Sequence, residues 1–128
     1  MSYHFSKTVD LPFEQAVARV TGELQKEGFG VLTDIDVRQT LKKKLNVEFR
    51  NYRILGACNP PFAYQALQAE DKIGTMLPCN VIVQEHAPGR VEVSAVDPLA
   101  SMQAIDNPKL EPVAREVQAR LKRVIENV

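Results

Sequence analysis

The sequence predicts an α+β domain, and three observations carry that prediction. Short runs alternate apolar with polar residues, two longer stretches repeat apolar residues at helical spacing, and the last two strand-like runs are joined too closely for a crossover helix. A parallel, doubly wound sheet is the weaker alternative for that last reason.

The elements follow in order. "SYHFSKTV" places Tyr3, Phe5, Lys7 and Val9 on one side and His4, Ser6 and Thr8 on the other, which suits a strand ended by Asp10. Phe13, Ala16, Val17, Val20 and Leu24 then recur as a helical stripe, with Pro12 tolerated at its start and Gly28 where a left-handed residue ends it. "FGVLTDID" reads as a second strand with Phe29, Val31, Thr33 and Ile35 on one face. Val37, Leu41 and Leu45 mark a short helix that Asp36 can cap.

A strand over Tyr52 to Ala57 runs into the corner Cys58-Asn59-Pro60-Pro61. A short helix is expected from about Pro60 to Glu70, with Asn59 accepting a hydrogen bond from its free amides and the two prolines filling donor-free positions. "NVIVQEH" and "RVEVSAV" flank Ala87-Pro88-Gly89 and predict a hairpin, with Val91, Val93 and Ala95 on one face and a wet face opposite. "DPLASMQAIDNP" reads as a loop. Leu110, Val113, Val117, Leu121 and Val124 form the apolar stripe of a closing amphipathic helix.

The 128 residues suit a single domain over 1–128, without repeats or low-complexity segments. Apolar residues are 45% and charged residues 25%, and no run approaches the roughly 20 apolar residues of a membrane helix. The N-terminal stretch carries no apolar signal core, so a cytoplasmic protein with no membrane partner is expected. Sixteen bases balance sixteen acids, which argues against a nucleic-acid partner. The one basic cluster, Arg38 with Lys42, Lys43 and Lys44, reads as a solvated helix face.

The order of "IDV", "YRILGACNPPFAYQAL", "LPCNVIV" and "VEVSAVDP" resembles the bacterial and archaeal domain-of-unknown-function family numbered 302. The Asn-Pro after the "LG" strand and the Leu-Pro-x-Asn-Val-x-Val strand carry most of that resemblance. It implies a β-α-β(4)-α core, similar in layout to the TATA-binding-protein-like fold, with two longer helices on one face of a mainly antiparallel sheet and two short helices besides. It also implies a homodimer. It supplies no reaction and no catalytic residues.

The candidate chemistry gathers at two corners. Cys58 precedes a helix start, where free amides and the helix dipole favour a thiolate, whereas the structural alternative is a small buried side chain. Cys79 follows a Leu-Pro corner with the same two readings. Their separation makes no Cys-x-x-Cys motif, so they can meet only through the fold.

A small polar or anionic ligand is a further expectation, held where Asn59, Tyr64, Asp97 and Met102 converge. Cap, core and turn roles are the structural alternatives for these residues. The donors Cys58, Cys79, Met76, Met102, His4 and His86 show no metal-binding spacing, so no metal or cofactor is expected. Asp34 and Asp36 share a strand face, but a strand end and a helix cap explain them without acid–base chemistry. No phosphate loop, dinucleotide fingerprint, zincin motif or nucleophile elbow is present.

Three functions follow as expectations. The leading one is a dimeric binding module with a small-molecule or sulfur-species site beside Cys58, Asn59 and Cys79. The second is a thiol redox or sulfur-transfer protein with Cys58 as nucleophile and Cys79 as resolving thiol. The third is a dimeric scaffold without a small ligand.

Overall fold

In a computed structural model, which describes residues 2–128, five strands form one antiparallel sheet in the order β1-β5-β4-β3-β2. The strands are β1 (His4–Val9), β2 (Gly30–Asp36), β3 (Tyr52–Cys58), β4 (Cys79–Ala87) and β5 (Arg90–Val96). Two long helices, α1 (Phe13–Lys26) and α5 (Leu110–Asn127), pack on one face. The others are α2 (Val37–Leu45), α3 (Pro60–Ala69) and the single turn α4 (Pro98–Ser101), with a 3-10 turn over Ile73–Met76. This is the expected α+β class, with α4 and the 3-10 turn in stretches where no helix was expected.

The expected stripes make the core. Ala16, Val20 and Leu24 of α1 and Leu121 and Val124 of α5 meet Leu55, Val81, Val83, Val91 and Val93 of the sheet, all buried. Burying each of these valines and leucines contributes on the order of 1.5–3 kcal/mol. α1 stops where Gly28 takes φ 87°, with Gly28 N donating to Gln25 O and Phe29 N to Leu24 O, a Schellman closure. That closure sets Phe29 at the cavity described below.

One local expectation is corrected. The pairing of β2 with β3 shifts between Val31, opposite Ala57, and Thr33, opposite Gly56. This bulge turns Thr33 and Ile35 to the face opposite Phe29 and Val31, so the four do not share a face. Asp36 does cap α2, accepting from Gln39 N at 2.9 Å, yet the stripe of that helix buries no residue. Leu45 stays exposed.

A second, smaller apolar cluster lies beside the main core. It joins Ala66 of α3, Ile73 of the 3-10 turn and Leu110 of α5, with Leu77, Met102 and Val113 packed around them. Among the described residues, no helix is long and apolar enough to cross a membrane.

Candidate functional site

At the seam between the two apolar clusters lies a cavity of about 340 Å³. Phe29, Ala57 and Val117 wall it from the main core, and Ala66, Leu77 and Met102 from the smaller one. Its volume has a sequence origin. Ala57 on β3, Ala63 and Ala66 on α3, and Ala114 on α5 line it, and small side chains there leave the seam unfilled.

Both thiols line this cavity. Cys58 ends β3 and is half-buried, while Cys79 begins β4 opposite Ala57 and is buried. Both are free. Burial pushes the Cys79 thiol up to about 11, and the neighbouring Cys58 adds to the shift because a second negative charge there is disfavoured. The two corners therefore form one site, with Cys79 held as the neutral thiol.

Asn59 also lines the cavity and is 7% exposed, but its expected capping bond is absent. Its Nδ2 instead donates to the main-chain carbonyl of Glu27 at 3.1 Å, tying the start of α3 to the end of α1. The first turn of α3 is also a poor anion site. Pro60 and Pro61 carry no N–H, and Ala63 N donates to Asn59 O, which leaves the Phe62 amide alone.

The remaining expected ligand residues divide. Met102 lines the cavity. Asp97 does not; it caps α4 by accepting from Leu99 N at 3.0 Å, and it accepts from Gln118 Nε2 at 3.1 Å. Tyr64 is 64% exposed and stands outside the lining, because α3 turns Phe62, Ala63 and Ala66 inward instead. The helical spacing of those three residues is the sequence signal that points to this wall.

Among the described residues, no group of three or more His, Cys, Asp or Glu side chains is placed to hold a metal ion. Asp34 is tied to Arg53, whose Nε donates to its Oδ1 at 2.8 Å, and Asp36 is the cap of α2, so neither faces the cavity. His4 and His86 are exposed on β1 and β4.

The family model described as "Domain of unknown function DUF302" matches residues 5–128. The chain belongs to the DUF302 family. It is similar to the crystal structure of an uncharacterized conserved DUF302 protein from Bacillus stearothermophilus, with a TM-score of 0.91 and 26% identity. That likeness covers 99% of this chain and 98% of the other. Comparison with curated proteins finds no match. DUF302 membership fits the antiparallel architecture and leaves the function to be argued from the cavity.

Proposed function

We propose that this chain is a cytoplasmic binding module for a small apolar molecule, seated in the cavity beside Cys58, Asn59 and Cys79. The observation that carries the reading is the lining, where only Asn59 and the two thiols bring polar side-chain atoms other than thioether sulfur. The volume of about 340 Å³ lies within the range of about 300–1,000 Å³ of ligand pockets. Moving apolar surface from water into such a wall contributes about 25 cal/mol per Å². A charged ligand gains nothing comparable there. Two free thiols at one site suit a reducing compartment.

Titration of the methyl-labelled protein with toluene, followed by NMR, tests the reading. Saturable shifts are expected at Leu77, Met102, Val113 and Val117, and Ala66→Leu, which fills the cavity, should remove them. Absence of saturable shifts in the wild type up to the solubility of toluene overturns the reading.

The thiol redox or sulfur-transfer reading is the second, supported by two thiols lining one cavity. The high pKa of Cys79 works against a resolving role at neutral pH. The homodimer belongs to the same proposal. It is supported by the cross-strand row Ile35, Ile54 and Ile82 on the sheet face opposite α1 and α5, and light scattering of the purified chain tests it.

A further inference from the structure

One polar group in the cavity wall is left without a partner. Asn59 must present Nδ2 to the Glu27 carbonyl, since a carbonyl oxygen only accepts, and this turns its Oδ1 the other way. Among the described residues, no donor makes a hydrogen bond to that oxygen. Nor is it sealed: no fully enclosed side-chain nitrogen or oxygen among them lacks a partner, so Oδ1 keeps contact with open space. Asn59 is itself one of the residues that line the cavity.

The remaining wall specifies what should carry the missing donor. Phe29 and Phe62 offer ring edges and faces, and the sulfur atoms of Cys58, Cys79 and Met102 offer polarisable contacts favourable to an aromatic ring. Among the described residues, none that lines the cavity carries a positive charge to hold an acid. Arg120, whose guanidinium lies 5.2 Å from the Phe62 ring centroid, is bonded to Glu116 and to the Glu27 carbonyl.

We infer that the cavity takes a neutral aromatic molecule with one hydrogen-bond donor, of the phenol or indole type, whose O–H or N–H is received by Asn59 Oδ1. This rests on the binding reading above and names its ligand class. An aromatic ring without a donor enters but leaves the Asn59 oxygen unpaired. A ring with a carboxylate brings a second acceptor, and a charge, to a wall that answers neither.

The test compares phenol and toluene on the wild type and on Asn59→Leu by NMR titration. Taking the ratio of their dissociation constants within each protein cancels the different hydration of the two probes. The substitution should weaken phenol relative to toluene by about fivefold, the size of one net hydrogen bond. Where Asn59→Leu does not fold, the Asn59 side-chain ¹³Cγ resonance of the wild type decides instead. It should move on binding phenol and stay near its free position with toluene.

An unchanged ratio overturns the inference, as does a ¹³Cγ shift shared by both probes. Toluene binding would still leave the apolar-cavity reading standing. Failure of both probes to bind overturns that reading and this inference together. Benzoate is the third probe, and benzoate binding as tight as that of phenol overturns the neutral-ligand assignment.

Discussion

Asn59, which opens α3, donates from Nδ2 to the carbonyl of Glu27, which closes α1, across 3.1 Å. The same carbonyl receives Arg120 Nη1 of α5, also at 3.1 Å. Three helices thus meet on one main-chain oxygen beside the cavity. Gly28 passes next to this junction with φ 87°, and a Cβ there would stand 3.1 Å from Asn59 Nδ2.

This shared acceptor sets the size of a substitution effect. Asn59→Ala should destabilise the protein by only about 1 kcal/mol, because Arg120 keeps the Glu27 carbonyl partnered. Removing both donors with Asn59→Ala and Arg120→Met leaves the carbonyl without either of them. The double variant should then lose more than the sum of the singles, by about 0.5 kcal/mol or more. Urea unfolding of the four proteins measures it, and additivity within about 0.3 kcal/mol would show that the carbonyl does not couple the two donors.

Gly56 presents a different constraint. An added Cβ would lie 2.1 Å from Thr33 Oγ1 and 2.8 Å from Cγ of Pro78. The threonine hydroxyl can rotate away, whereas the proline ring cannot. Gly56→Ala is therefore expected to cost about 1–3 kcal/mol, and adding Thr33→Ala should recover only part of that loss. Full recovery in thermal unfolding would mean that the Pro78 ring yields freely.

The ion pair of Asp34 with Arg53 ties β2 to β3, and Arg53 also reaches Glu14 of α1 at 3.3 Å. The Arg53 hydrogen bonds, with its charge assisting, hold the Asp34 carboxyl below its ordinary value of 3.8. A depressed carboxylate stabilises the fold above its unfolded pKa, and that contribution is lost as pH falls through the folded one. Unfolding free energies measured from pH 6 downward should therefore fall more steeply below about pH 4 in the wild type than in Asp34→Asn. Asp34 is partly exposed, so the difference should be small and should shrink in high salt. Equal slopes in the two proteins would remove the pair from the acid response.

The parts of this architecture that local chemistry dictates could be read from the chain. The α1 stripe from Phe13 to Leu24 is buried as its spacing requires, and so is the α5 stripe of Leu110, Val113, Val117, Leu121 and Val124 except for the half-buried Val113. The Pro88-Gly89 turn joins the expected hairpin. Features set by distant partners could not be read. The β2 bulge depends on pairing with β3, and the bond of Asn59 depends on a carbonyl 32 residues earlier. Cys58 and Cys79 could be named as corner residues, but their sharing of one cavity depends on β3 pairing with β4. Tyr64 failed as a wall for a simpler reason: aromatic character does not tell which side of a ten-residue helix faces inward.

The two thiols should differ in reactivity. Cys79 is buried, and burial pushes its thiol up from an ordinary value of 9.0 to about 11, so the fold favours the neutral form. For a group raised in this way, the contribution to stability is fully present below the unfolded value and is lost as pH rises through the folded one. The relevant window is thus pH 9 to 11. Since only the thiolate attacks iodoacetamide, Cys79 should stay unmodified in the native protein near neutral pH. Half-buried Cys58 should be labelled first. Toluene in the shared cavity should slow labelling of Cys58 while leaving Cys58 in the urea-unfolded chain unaffected. Peptide mass spectrometry of each site over time measures all three effects. Labelling of native Cys79 as fast as Cys58 at pH 8 would contradict the buried-thiol account, whereas toluene protection of Cys58 would connect the cavity to the thiol in solution.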